Sequence, residues 1–145
     1  MFKNILIVCI GNICRSPMAE ALLKYRLPHL EVSSAGLYGM VDHPADSHAL
    51  ELLSHRRGID YSSHRARQLT PHIVESAELV LVMETGHIKE ALRQVPIARG
   101  RIHLFGKWNN MEIPDPYRQD RHVFEDVFNM IETCLDIWQE KIWSQ

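Results

Sequence analysis

Two uninterrupted apolar runs, Ile5-Leu6-Ile7-Val8 and Leu79-Val80-Leu81-Val82-Met83, dominate the patterning of this 145-residue chain. Runs without alternation suit central parallel strands, because helices cover both of their faces. Two weaker segments, His29 to Ser34 ending at Ala35-Gly36 and Arg101 to Phe105, predict a second and a fourth strand. Helical signals fall between them. Ser16-Pro17 marks a helix start, with Ser16 as cap and Pro17 in the first position, where a missing N–H is harmless. Asp46 caps a helix carrying Ala49, Leu50, Leu52 and Leu53 and closed by Gly58. Thr70-Pro71 opens another through Ile73 and Val74, and Thr85 one toward Leu92. Phe124, Val127, Phe128, Ile131, Leu135, Trp138 and Ile142 share one face of a long final helix.

Strand and helix alternate, so the pattern predicts a three-layer α/β fold. It has a four-stranded, parallel, twisted sheet, right-handed crossovers and helices on both faces. Residues 1–145 form one domain, long enough to bury about 68–70% of the unfolded surface. Ligands of such sheets bind beyond the strand C-termini, and there the first strand runs into Cys9.

Composition narrows the class. A hydrophobic fraction of 46% and a charged fraction of 23% are those of a soluble globular protein. A net charge of −2 gives no long-range attraction to nucleic acid or anionic membrane. His64-Arg65-Ala66-Arg67 accordingly reads as a solvated face or substrate rim. No stretch approaches the roughly 18 apolar residues of a membrane span, and the N-terminus lacks a signal-peptide pattern. Three cysteines, one in a reactive-looking loop, fit a reducing cytoplasm better than a disulfide-stapled fold. Cys134 is assigned to core packing and the aromatic residues of the final helix to core or dimer surface, with a monomer or weak dimer expected. The nine histidines show no metal-ligand spacing, so neither metal nor cofactor is expected.

The chemistry is concentrated in Cys9-Ile10-Gly11-Asn12-Ile13-Cys14-Arg15-Ser16-Pro17. Successive amides of a short loop, followed by a helix N-terminus, make a concave anion site. Residues 10–16 are therefore assigned to phosphate binding. Cys9 sits where the helix end, the Arg15 guanidinium and loop hydrogen bonds favour thiolate, and such settings bring cysteine pKa values to roughly 3.5–7.5. Gly11 lets backbone approach a phosphate, Asn12 tolerates positive φ, and Ser16 offers the sulfur a hydroxyl. Arg15 supplies a planar fork for two phosphoryl oxygens. A thiolate attack on a phosphate ester needs an acid for the leaving group. Asp115, stiffened by Pro114 and Pro116, is the candidate.

With these residues in hand, the chain resembles the low-molecular-weight protein-tyrosine phosphatases over nearly its whole length. The likeness is strongest at Val8 to Pro17 and Asp115-Pro116-Tyr117, then at Ser34-Ala35-Gly36 and Ser63 to Leu69. Gly106-Lys107-Trp108 and Ile113 to Arg118 are similar to the bacterial, Wzb-like branch, which acts on tyrosine autokinases controlling capsule and exopolysaccharide export. The resemblance implies in-line attack by Cys9, a phosphocysteine intermediate, and Asp115 acting first as acid and then as base. It also implies that Asn12, Ser16, Ser34 and His64 hold the loop, and that Ile13 and Tyr117 shape the cleft. Either Tyr38 or Met40 could face the substrate, and Arg118 stands where eukaryotic relatives carry a second tyrosine. Cys14 is expected to capture oxidised Cys9 as a disulfide, the alternative being a small space-filling residue.

Rival readings keep the anion loop. Arsenate reductases that relay a disulfide need two further cysteines, and only Cys134 lies outside the loop. Protein-arginine phosphatases carry threonine where Ile13 stands, and a branched apolar residue there suits an aromatic ring instead. A non-catalytic phosphotyrosine-binding protein would keep the cradle, yet nothing needed for turnover is missing from this sequence.

Overall fold

A computed structural model of the chain describes residues 2–144. The strands are β1 (Asn4–Cys9), β2 (Glu31–Gly36), β3 (Leu79–Val82) and β4 (Ile102–Leu104). The helices are α1 (Arg15–Arg26), α2 (Ser47–Arg57), α3 (Pro71–Glu75), α4 (Thr85–Gln94) and α5 (Arg121–Lys141). All strand pairs are parallel in the order β2-β1-β3-β4. Side chains alternate across a strand, so the two apolar runs feed two cores. Ile5, Ile7, Leu79 and Leu81 pack under α1, α2 and α5 with Met18, Leu22, Leu53, Phe128 and Trp138. Leu6, Val8, Val80 and Val82 face α3 and α4 with Val74 and Ala91. No helix among the described residues is long and apolar enough to cross a membrane.

Capping chemistry explains the boundaries. Asp46 accepts from the His48 amide at 2.9 Å, and Gly58 closes α2 at φ 66°. Thr70 accepts from the Ile73 amide at 3.3 Å ahead of Pro71. The buried Trp138 indole donates to the Phe105 carbonyl at 2.6 Å, tying α5 to the end of β4.

Three expectations shift. Ser16 does not cap α1: the helix begins at Arg15 after Cys14, which makes no side-chain cap bond. The Ser16 hydroxyl is engaged by Asn12 and Cys9 instead. Pro17 is the third residue of the helix, inside the first turn, where an N–H would have no intrahelical acceptor. The second strand starts at Glu31, not His29, because a turn closed by the Leu30 amide on the Leu27 carbonyl, 3.0 Å, occupies the residues before it. Its far end reaches Gly36, in register with Cys9. The fourth strand is trimmed to Ile102–Leu104, and Phe105 extends the pairing through one bond to the Val82 carbonyl, 2.7 Å.

Cys9 thus leaves β1 beside Gly36 and beside the end of β3, at the C-terminal edge of the sheet. The approach at Gly36 is close. A Cβ there would lie 2.5 Å from the Ile10 carbonyl oxygen and 2.9 Å from the Gly39 Cα. Gly36→Ala is expected to destabilise the fold by about 1–3 kcal/mol through overpacking, read from the denaturant midpoint. An unchanged midpoint would show that the Cys9 loop does not rest on this strand.

Candidate active site

The loop after β1 is built with its hydrogen-bonding polarity turned inside out. Its carbonyls are tied outward: Cys9 to the Leu37 amide (2.9 Å), Ile10 to Tyr38 (2.9 Å), Gly11 to Met40 (3.0 Å) and Ile13 to Asp46 (2.8 Å). The Asn12 carbonyl accepts from His64 Nε2 at 2.9 Å. Among the described residues no acceptor engages the amides of residues 10–16. Amide donors left free around a turn are an anion receptor.

Asn12 holds that turn. It adopts φ 62°, the left-handed region, which costs a non-glycine residue energy unless its surroundings over-determine it. They do. Its fully buried side chain donates to Ser16 Oγ and Ser34 Oγ, both at 2.8 Å, and accepts from the Arg67 amide at 3.0 Å. Ser34 passes its own hydrogen to Glu20 Oε1 at 2.5 Å. Ser16, already an acceptor for Asn12, has its hydrogen available for Cys9 Sγ, 3.0 Å away. Donation therefore runs outward from Asn12 in two directions, through Ser16 to the sulfur and through Ser34 to Glu20, which Lys24 meets at 3.1 Å. Tyr61 stands beside Glu20, where burial and that carboxylate push its phenol well above the usual range.

Arg15 is almost fully buried and divided between two tasks. Its Nη1 donates to Glu84 Oε2 at 2.5 Å and to the Ile113 carbonyl at 2.8 Å. The other edge of the fork remains: Nε is buried with no partner, and Nη2 lies 3.7 Å from Asp115 Oδ2. An unmet donor on the Nε–Nη2 edge fits a bidentate oxyanion. Glu84 also caps α4 reciprocally with His87, whose imidazole is pushed below its ordinary pKa first by burial and then by Arg15.

The Asp115 loop is fixed from two directions. The Ile113 amide donates to the Met83 carbonyl at the end of β3 (3.0 Å), and its own carbonyl holds Arg15. Asp115 Oδ1 accepts from the Tyr117 amide at 3.1 Å, an Asx turn that leaves the carboxylate partly exposed. Glu112 accepts from the Thr85 amide at 2.6 Å, pinning the same loop to α4.

One cavity is lined by Cys9, Ile10, Gly11, Ile13, Cys14, Arg15, Tyr38, Met40, Asp115 and Tyr117. The sequence left open which of Tyr38 and Met40 faces it, and both do. Asn12 and Ser16 stand behind it, wholly buried, and Ser34 and His64 lie further back. Cys14 is buried beside Cys9, and burial followed by the nearby Asp46 carboxylate pushes its thiol far up, so it is held neutral. Cys134 sits in the core, pushed up to about 11 by burial. The His64–Arg67 stretch is not a substrate rim. Its arginines are exposed, but Ala66 is buried, the Arg67 amide holds Asn12, and Arg67 Nε holds the Ser34 carbonyl at 2.8 Å.

Glu20, Glu84 and the Ile113 carbonyl escaped the sequence reading. Two of them left a signal. Glu84 directly follows the central apolar run, at the strand end where ligands bind. Glu20 interrupts an apolar helix one turn after Ser16.

Comparison with known proteins gives the family. The family described as low molecular weight phosphotyrosine protein phosphatase matches residues 4–145. The Escherichia coli K12 protein named low molecular weight protein-tyrosine-phosphatase Etp is 42% identical over 142 residues, covering 97% of this chain and 95% of its own length. The tyrosine phosphatase Wzb from Escherichia coli K30, solved with sulphate, superposes with a TM-score of 0.92 at 40% identity, over 98% of this chain and 99% of that one. Vibrio vulnificus Wzb, solved with benzylphosphonate, gives 0.94 at 37% identity, over 98% and 100%. The chain belongs to the low molecular weight phosphotyrosine protein phosphatase family.

Proposed function

We propose that this protein hydrolyses phosphotyrosine through a phosphocysteine intermediate. The observation that carries the reading is a buried sulfur, a buried guanidinium edge without a partner and a carboxyl group lining one cavity. The phosphoryl group of the substrate settles among the amides of residues 10–16, two oxygens on the Nε–Nη2 edge of Arg15. The Cys9 thiolate, stabilised by the Ser16 hydroxyl, attacks phosphorus in line. As the P–O bond breaks, protonated Asp115 delivers its proton to the tyrosyl oxygen. The same carboxylate, now ionised, takes a proton from water as it attacks the phosphocysteine, releasing phosphate and restoring thiolate and acid. Arg15 and the amides bear the negative charge at both transition states. Ile13, Tyr38, Met40 and Tyr117 supply an apolar cleft suited to a phenyl ring, as against a polar guanidinium. Benzylphosphonate on Vibrio vulnificus Wzb is an aryl ligand of this shape. The resemblance to the capsule- and exopolysaccharide-associated branch extends the reading to a cytoplasmic tyrosine autokinase as substrate, met by a monomer or weak dimer.

Turnover of phosphotyrosine peptides tests the assignment, with phosphoarginine peptides as the comparison. Cys9→Ser is expected to abolish activity, and Asp115→Asn to slow phenyl ester hydrolysis about 10²-fold or more while leaving phosphate inhibition intact. Preference for phosphoarginine, or an unchanged rate in Asp115→Asn, overturns it.

Glu84 is proposed to aim Arg15. Its loss leaves Nη1 only the Ile113 carbonyl. Glu84→Ala is expected to lower kcat/KM and to weaken competitive inhibition by phosphate, each by about tenfold, with Glu84→Gln less affected. If both constants match the wild type, the guanidinium is held without Glu84.

Cys14 is proposed as a redox partner. Oxidation of Cys9 by peroxide gives a sulfenic acid; the Cys14 thiol displaces hydroxide from it, forming a disulfide and water, which a thiol reductant reopens. Cys14→Ser is expected to lose irreversibly the activity that the wild type regains after peroxide and reductant. Equal recovery assigns Cys14 to packing alone.

A further inference from the structure

Tyr38 is more than half exposed, yet its ring lines the cleft and its hydroxyl is not free. The hydroxyl donates to Glu90 Oε2 on α4 in a short hydrogen bond and accepts from Arg93 Nη2 at 3.4 Å. Glu90 is itself held rigidly. Arg93 reaches it through Nη2 (2.6 Å) and Nε (3.0 Å), and Gln94 Nε2 through a third contact at 2.9 Å. These donors keep the Glu90 carboxyl far below the usual carboxylate range.

The backbone of the Tyr38 loop is fastened to the same side. Gln94 and Gln68 both donate to the Leu37 carbonyl, at 2.9 and 2.8 Å, and Gln68 Oε1 accepts from the Gly39 amide at 2.8 Å. A Cβ on Gly39 would lie 2.6 Å from the Arg67 carbonyl oxygen, so the loop has no slack there. An exposed aromatic ring on a surface loop ordinarily samples several rotamers. This one is tethered at both ends.

We infer that Glu90 is a positioning residue: with Arg93 and Gln94 it fixes the Tyr38 ring as a preformed wall for the aromatic ring of the substrate, and so sets preference for aryl phosphates. The inference rests on the phosphotyrosine reading and deepens it. Arg93, whose charge is engaged by Glu90, serves the clamp and does not recruit acidic peptide. Ring contact of this kind contributes only when the wall is already in place, because ordering it on binding would cancel the gain.

The test separates phosphate affinity from ring affinity. Competitive inhibition constants for inorganic phosphate and for benzylphosphonate are measured with an aryl phosphate as reporter. Their ratio reads the ring alone. Tyr38→Phe and Glu90→Ala each remove the same hydrogen bond, so each is expected to reduce benzylphosphonate selectivity about threefold to tenfold. Inhibition by inorganic phosphate, which carries no ring, should stay at the wild-type value. The double variant should fall no further than Tyr38→Phe alone, since Glu90 acts on the ring through the tyrosine hydroxyl, and Tyr38→Ala should fall further. A wild-type ratio in Glu90→Ala overturns the inference, as does a double variant in which the two effects multiply. Absence of any aryl phosphate turnover in the wild type would instead defeat the phosphatase reading itself.

Discussion

The left-handed backbone of Asn12 is the constraint on which the rest of the site depends. A loop between a parallel strand and a helix can point either its carbonyls or its amides inward. Turning one residue to φ 62° directs the amides of residues 10–16 to one side and the carbonyls to the other, where neighbouring backbone and His64 meet them. An asparagine in that conformation carries strain of about 1–3 kcal/mol unless it is compensated. Three side-chain hydrogen bonds to Asn12 compensate it, and they also fix which way each hydroxyl points. The strain and the polarity of the sulfur environment have a common origin.

Arg15 couples this loop to the remainder of the site. Emerging from the first turn of α1, it bonds the end of β3 through Glu84 and the Asp115 loop through the Ile113 carbonyl. Three segments far apart in sequence converge on one buried guanidinium. The Glu84 side chain is 37% exposed, so the pair is only partly desolvated, and its contribution is orientation more than stability. A lysine could neutralise the same charge, but it lacks a planar fork that divides into a structural edge and a binding edge.

Much of this was legible in the chain. The two apolar runs specify the central strands because a parallel strand covered on both faces has no polar positions to interrupt it. Asp46, Gly58 and Thr70 marked helix ends because capping is local chemistry. Ser16 misled for a related reason. A serine before proline is a good cap, but here hydrogen bonds to Asn12 and Cys9 within the same loop take its hydroxyl instead. The start of β2 was misplaced because the turn at Leu27–Leu30 is closed by backbone, which leaves no side-chain signature. Glu84 left only its place after an apolar run, and Glu90 left no signal, for a deeper reason. Their partners lie 69 and 52 positions away, and only the register of the sheet brings them together.

That register makes α4 the ruler of the cleft. Its cap residue, Glu84, holds the Arg15 guanidinium, and Glu90 in its second turn holds Tyr38, both of which line the cavity. Six residues of α-helix separate these anchors by about 9 Å along the axis, a distance that side-chain motion alters little. A helix is stiffer than the loops it positions, so the spacing between Arg15 and Tyr38 is set by a regular element, to which the two loops need only be fastened. This arrangement gives both carboxylates to one helix while the groups they orient come from two separate segments, the start of α1 and the loop after β2.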